Sequence, residues 1–490
     1  MRPAAALPSG ARGGSLPEKG DGNAIPDTTI ERNTAPSILA RLDRLPASRS
    51  VWRLVTLLSL GGMFEFYDLF MTGYVVPGLV KAGLLANVGV GIFTGPALFV
   101  AATFTGLFIG TFVFGFVADK YGRRSIFTVS LLFYCAATLV MAFQDSGVSV
   151  CLWRLIAGIG IGVELVTIDT YIAELVPKHV RGRAFAYNQV IQFSAVPIVA
   201  FLSYKLVPTA PFGFDGWRWV VVIGSLGALF VWFLRRGIPE SPRWLLQQGR
   251  VAEAEAITAA IEAKVAADLG GAPLPKPATH AVERTEAAGR FAEIWQAPYR
   301  TRTLMLMVFQ FFQTFGFYGF AAWVPTLIAQ QTGINLSSSL LYSFIIAIAS
   351  PFGPLLAMSF ADKYERKWQL VAAACGVGVF GVLFSFQSTM ALLIVFGVLI
   401  TLCNNVLSNT FHGYQTELFP TRVRARAVGF TYSFSRISTV FASFIIGFFL
   451  RTAGTKGVFG LIAFAMLMVV LSIGLFGPRT RDLELEQIST

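Results

Sequence analysis

Apolar residues in this chain come in long unbroken runs, not in strict alternation or in narrow amphipathic stripes. Runs of roughly 18 or more apolar residues, enough to cross a hydrocarbon core, lie near 52–80, 91–117, 126–144, 148–170, 184–207, 217–236, 302–328, 337–360, 369–387, 390–412, 426–450 and 457–477. A backbone in lipid must satisfy its own N–H and C=O groups, which leaves helices or a closed barrel, and a barrel strand needs only about ten residues. The pattern therefore predicts an all-α membrane protein of about twelve transmembrane helices. The first run begins too late and runs too long for a cleavable signal peptide.

Two short polar motifs interrupt the apolar runs and recur. Ala118-Asp119-Lys120-Tyr121-Gly122-Arg123-Arg124 returns as Ala361-Asp362-Lys363-Tyr364-Glu365-Arg366-Lys367, with Asp362 standing 243 positions after Asp119. Glu174-Leu175-Val176-Pro177, followed by Val180-Arg181, returns as Glu417-Leu418-Phe419-Pro420 with Val423-Arg424, again 243 positions on. One offset shared by two motifs implies a duplicated six-helix unit, parallel because an even number of spans separates the copies. The expected architecture is two pseudo-symmetric six-helix bundles, 51–237 and 302–478, joined by a linker at 238–301. Residues 1–50 are rich in Gly, Pro, Ala and charge without an apolar period and read as a disordered tail; residues 479–490 form a second tail.

Charge refines this picture. The formal net charge is +12, yet only 13% of residues are charged, 54% are hydrophobic and the mean hydropathy is +0.63. The basic residues collect in alternate loops: Lys120, Arg123 and Arg124 fall on the same side as Lys178, Arg181, Arg183, Arg235, Arg236, Arg243, Lys363, Arg366, Lys367, Arg422 and Arg424. The opposite loops hold little beyond Lys81, Lys205, Arg451 and Lys456. By the positive-inside rule both termini are cytoplasmic, and the excess charge marks membrane topology and not nucleic-acid binding. Cys135, Cys151, Cys375 and Cys403 lie within the predicted spans, so no disulfide framework is expected. No metal-ligand spacing, nucleophile elbow or phosphate loop occurs, which argues against an enzyme and against a metal or cofactor.

The repeated loop resembles the signature of the major facilitator superfamily over about 51–478. Pro239-Glu240-Ser241-Pro242-Arg243-Trp244-Leu245 after the sixth span is similar to the sugar-porter motif, supported by Glu174-Leu-Val-Pro-Lys-His-Val-Arg181-Gly182-Arg183. The resemblance implies two bundles rocking about a central site. Asp119, Arg123, Arg124, Glu174 and Arg181, with their copies Asp362, Arg366, Glu417 and Arg424, then form charged latches at the helix ends that gate the movement. Solvated charged turns are the plainer alternative.

Ionisable groups inside the spans cost about 2.5–3.5 kcal/mol on insertion scales, so each needs a partner or a task. Asp68 lies sixteen residues into the first span, roughly 24 Å deep. Proton-coupled sugar porters carry an Asp in the first span and an Arg in the fourth at matching positions, and Asp68 and Arg154 match them. The expected role is proton coupling, with a static salt bridge as the alternative. Glu164, deeper in the fourth span, is a second candidate proton site; organic-ion relatives show a similar Gly-x-Glu stretch. Asp169 lies on the same broad face. Arg436 falls near the midplane of the eleventh span, where a guanidinium suits a substrate carboxylate or an internal acid.

Uncharged polar residues suggest where the ligand sits. Gln310, Gln313, Thr314 and Phe317 fall within about 100° on the seventh span and form one stripe. Asn404, Asn405, Ser408, Asn409 and His412 crowd the tenth span, either as ligand contacts or as interhelical hydrogen bonds. By resemblance, Gln189 and Gln313 match sugar-contacting glutamines, but Tyr318 stands for the usual Asn and His412 for the usual tenth-span Trp. The substrate-binding set is therefore Gln189, Gln310, Gln313, Phe317, Asn405, Asn409 and Arg436. These residues lead us to expect a monomeric proton symporter of a small organic anion in a plasma membrane, a bacterial inner membrane for choice. A sugar:proton symporter, an organic-cation or drug exporter and a non-transporting nutrient sensor are the competing readings.

Overall fold

The computed structural model describes residues 38–89, 91, 93–235, 237–277, 291–360, 363–419 and 421–480. The side chains of 113–120, 123, 127, 165–167, 234, 235, 421, 422 and 425 stand outside that description. Among the described residues, eleven helices are long and apolar enough to cross a membrane. Spans one to six are Arg49–Lys81, Gly95–Tyr121, Arg123–Ala142, Gly147–Leu175, Lys178–Leu206 and Gly216–Arg235. The linker carries the short helices Pro242–Gln247 and Val251–Asp268.

The second bundle is less regular. Span seven is Tyr299–Ala321, continued after a break by Val324–Thr332, and span eight is split into Leu336–Ala347 and Phe352–Phe360. Span nine is Arg366–Ser385 and span ten Met390–Glu417. The last helix, Thr421–Phe476, has 56 residues and would stretch about 84 Å if straight. It doubles back at Gly454, whose φ of 63° and ψ of −159° suit a residue without Cβ. Its two ends therefore lie on the linker face: Arg302 Nη1 donates to the carbonyl of Leu418 just before it, at 3.0 Å, and Tyr414 Oη donates to the carbonyl of Pro478 just after it, at 2.8 Å. At the opposite face Gln330 donates to the carbonyl of Leu450 near the turn, 3.0 Å. The last helix is thus spans eleven and twelve, and the expected twelve-span, all-α architecture is observed.

Packing within the first bundle depends on small residues. A Cβ at Gly106 would come 2.1 Å from the carbonyl oxygen of Leu155, and one at Gly110 equally close to that of Ile159. Spans two and four consequently touch backbone to backbone, which is how helices gain contact where lipid supplies no hydrophobic driving force. Gly122, at φ 96°, makes the reversal between spans two and three. The carboxylate of Glu240 occupies the space that a Cβ there would fill, and accepts from the Arg124 backbone N–H at 3.1 and 3.2 Å. An anion at a helix N-terminus is favourable, so this acid of the Pro-Glu-Ser-Pro-Arg motif caps span three.

Residues 38–48, expected to belong to a disordered tail, are ordered against the linker. Ile38 packs with Trp244, Leu245 and Ala254, while Leu42 and Leu45 pack with Val51 and Val265. Hydrophobic positions within this stretch supply the apolar face that the composition of the whole tail concealed.

Candidate functional site

The first site element is a buried ion pair. Arg154 Nη1 donates to Asp68 Oδ2 at 2.8 Å, with Arg154 fully buried and Asp68 5% exposed. Three further bonds hold the guanidinium: Nη2 to the Asp68 carbonyl and to Thr72 Oγ1, both 2.7 Å, and Nε to Thr103 Oγ1, 2.9 Å. Spans one, two and four thus meet at one cation, and the pair anticipated between spans one and four is present. Glu164 is fully buried on span four, ten residues from Arg154 and outside this network.

The second element stands between the bundles. Arg436 is 4% exposed. Its Nη2 donates to Tyr432 Oη at 2.9 Å, and its Cζ lies 4.9 Å from the centre of the Tyr432 ring. Glu65 of span one and Tyr318 of span seven act on Arg436 electrostatically, and Asp169 of span four acts on Tyr432. His412 of span ten faces the same guanidinium. Acids of the opposite bundle therefore act on this pair, Glu65 on Arg436 and Asp169 on Tyr432. His412 was weighed among the polar residues of span ten, but Glu65 and Tyr432 were not assigned to the site from the sequence. The signal for the last was its spacing of four from Arg436, which places both on one helical face.

The polar stripe of span seven divides in two. Gln310 Nε2 donates to Gln415 Oε1 at 3.2 Å and Thr314 hydrogen-bonds Ser438 at 2.7 Å, so these two fasten spans seven, ten and eleven together. Gln313 is buried, and Phe317 crosses to the other bundle, its ring 6.4 Å from Phe70 and 6.3 Å from Phe193. Asn404 donates to the Gly316 carbonyl at 3.1 Å and Asn405 to the Ser350 carbonyl at 2.8 Å. The interhelical role weighed for these asparagines is the one their geometry serves: Ser350 lies in the break of span eight, where a carbonyl has lost its helical partner. Asn409 and Gln189 are half-buried, and next to Gln189 the Asn188 amide is buried without a hydrogen bond inside the protein. Phe317, Asn404 and Asn405 line, with Phe70, Tyr74, Phe193 and others, a cavity of about 30 Å³.

Among the described residues, further ring and backbone contacts join the bundles on the half opposite the linker. Phe93 meets Phe444 at 4.7 Å, Phe201 meets Phe344 at 5.4 Å and Phe104 meets Tyr318 at 4.8 Å. A Cβ at Gly73 would fall 2.3 Å from the Ala322 carbonyl oxygen, and one at Gly447 2.7 Å from Ala97 Cβ. That half is closed.

At the linker face the repeated motifs show matching geometry. Arg181 Nη2 donates to the Val176 carbonyl at 3.2 Å, and Arg424 Nε donates to the Phe419 carbonyl at 3.1 Å, the equivalent pair 243 residues on. Arg366 and Glu417 form an ion pair. Glu174 receives Arg243 Nε at its carbonyl, 3.0 Å, and Asp43 bridges Arg243 at 3.0 Å and Arg181 at 3.9 Å. Arg124 is exposed at the start of span three. The side chains of Asp119 and Arg123, and all of Asp362, lie outside the described residues.

Comparison with known proteins places this geometry. The family model described as sugar (and other) transporter matches residues 54–490. YyaJ of Bacillus subtilis (strain 168), named as a metabolite transport protein, is 32% identical over 92% of this chain and 98% of its own length. The niacin transporter NiaP of Acinetobacter baylyi (strain ATCC 33305 / BD413 / ADP1) is 26% identical over 92% of this chain and 99% of its own. Among solved structures, the partially occluded inward-open conformation of the xylose transporter XylE from E. coli shares the fold with a TM-score of 0.71 at 19% identity, covering 89% of this chain and all of that one.

Proposed function

Because the chain belongs to the sugar (and other) transporter family, as a multi-pass membrane protein of major facilitator type, we propose that it carries a small organic carboxylate across a bacterial inner membrane by alternating access, in symport with protons. The observation that carries the substrate reading is Arg436, a buried cation at the junction of the bundles, anchored on Tyr432. A guanidinium keeps its charge in such a place and offers paired donors to a carboxylate. Its opposite-bundle neighbour Glu65 supplies what an unloaded carrier requires, an internal anion that a substrate carboxylate replaces. An organic cation is the weaker reading, because it would have to sit beside the buried Arg436 guanidinium.

The relatives' names fit this class. NiaP is named for niacin, a carboxylic acid, and a further relative 23% identical over 88% of this chain is named an arabinose-proton symporter. A hexose or pentose is the weaker reading here, because Tyr318 and His412 stand where sugar porters place hydroxyl-reading groups. Coupling rests on Asp68. If this carboxylate takes a proton, Arg154 loses one of four hydrogen bonds and keeps those to the Asp68 carbonyl, Thr72 and Thr103. Removing one member of a buried pair commonly costs about 3–5 kcal/mol, and the three retained acceptors offset part of that cost. The placement of basic loops supports a topology with the linker and both termini in the cytoplasm.

The test compares acid and amide forms of one ligand, nicotinate and nicotinamide, in proteoliposomes. Arg436→Lys should weaken nicotinate binding about tenfold by losing the paired donors. Arg436→Gln should weaken it further, and neither should move the amide by more than a small factor. Equal losses for both forms, or full retention of the acid by the Gln variant, would return Arg436 to a structural ion pair.

A further inference from the structure

The face opposite the linker carries a cavity of about 460 Å³, a size within the roughly 300–1,000 Å³ of small-molecule sites. Both bundles build it. Phe93, from the segment between spans one and two, contributes one side. Trp323 and Thr326 beside the break of span seven, Gln330 one turn on, and Leu450 and Arg451 at the end of span eleven contribute the other. Gly447 also lines it, and a Cβ there would fall 2.7 Å from Ala97 Cβ of span two. The cavity therefore adjoins the closed seam between the bundles.

Its lining favours one kind of occupant. Phe93, Trp323 and Leu450 offer apolar surface, while the Gln330 amide is held by its bond to the Leu450 carbonyl at 3.0 Å. Arg451 is the one charged residue of the lining. It is exposed and forms no ion pair among the described residues, so its guanidinium is left to meet an anion from solution. The origin of the walls adds a dependence on state. Opening this half of the carrier would part Phe93 from Trp323 and Arg451, so a ligand touching both walls binds the closed form more tightly. By linkage such a ligand also holds that form closed. We infer that this vestibule is a second binding site, separate from the junction around Arg436, for a small amphipathic anion that arrives from the face opposite the linker and keeps that half of the carrier shut.

Naphthalene-2-sulfonate and its neutral sulfonamide test this by calorimetry on the purified full chain in nanodiscs. The sulfonate should bind about fivefold tighter than the sulfonamide, the upper end for an exposed ion pair. Arg451→Gln should bring the two affinities together. Ala86→Trp, which places a ring in the cavity from an exposed position of its lining, should weaken both by about tenfold or more. Spin labels at Phe212 and Lys456, exposed on the same face and outside the cavity, report on the seam. Saturating sulfonate should raise the proportion of short distances severalfold in the parent and leave it unmoved in Ala86→Trp. Four results would each overturn the inference: no sulfonate binding or equal affinities for the two probes in the parent; affinities unchanged in both Arg451→Gln and Ala86→Trp; binding lost in Arg436→Gln in their place; or bound sulfonate that leaves the distances as they were.

Discussion

Arg154 illustrates how one residue's chemistry is fixed by its neighbours. Four acceptors surround its fully buried guanidinium, and three of them do not depend on the charge of the Asp68 carboxylate. Asp68→Asn should therefore fold and should exchange substrate between the two sides of a vesicle, yet fail to concentrate it under an imposed proton gradient. Retained uphill uptake in that variant would remove Asp68 from coupling and make Glu164, also fully buried on span four, the next acid to test. Arg436 makes the complementary point: its position at the midplane was readable from residue counting, but its acidic and aromatic surroundings were not, because Glu65, Asp169, Tyr318 and His412 come from four other helices.

At the scale of elements, the two halves of the repeat differ where proline enters. Span eight breaks around Pro351, whereas the equivalent position in the first half, 243 residues earlier, is Phe108 inside the unbroken span Gly95–Tyr121. A proline removes a helical donor and clashes with the preceding turn, and Asn405 satisfies the Ser350 carbonyl that the break exposes. The ordered segment 38–48 is a second departure from expectation. Arg41 donates to Glu262 at 2.6 and 3.2 Å, also pairs with Glu255, and Arg44 reaches the Glu262 carboxylate too. Burial pushes the Glu262 carboxyl up, but the hydrogen bonds from Arg41 and Arg44 outweigh it and hold the group below its ordinary value. A depressed carboxyl contributes stability above its ordinary pKa, about 4.3, and that stability is lost as pH falls through the still lower folded value. The clamp should therefore be intact across neutral pH. Glu262→Gln should release it at pH 7, read as faster amide hydrogen exchange over 38–48 with exchange in the spans unchanged; equal protection in both proteins would show that the apolar contacts of Ile38, Leu42 and Leu45 suffice.

For the whole molecule, contact between bundles on the half opposite the linker defines the state observed, and it depends on glycines at the seam. Gly73→Leu would drive a side chain into the Ala322 backbone, so this variant should be unable to close that half. Spin labels at Ala86 and Arg451, which line a cavity on that face, should move apart by several ångströms relative to the parent, and net uptake should cease. An unchanged distance distribution would show that the seam tolerates the bulk. Orientation in the membrane is tested separately. Reporter fusions at residue 20, near residue 270 and after Arg481 should all report the cytoplasm, and an external signal at any of them would break the proposed topology.

The length of the apolar runs decided that the chain is helical and spans a bilayer, because lipid leaves the backbone no other way to bond, and the 243-residue offset decided that there are two like bundles. Those properties are local or periodic and survive in one dimension. The Asp68–Arg154 pairing also came from the sequence, through resemblance to proton-coupled porters. What tertiary structure alone decided is which polar groups share a space. Gln310, Asn404 and Asn405 turned inward to neighbouring helices of their own bundle, while Glu65, Asp169, Tyr318, His412, Tyr432 and Arg436 converged between bundles. Helical periodicity fixes a residue's face to within tens of degrees; which face meets which partner depends on the rotation and crossing of helices brought together across hundreds of residues, and that is set by packing.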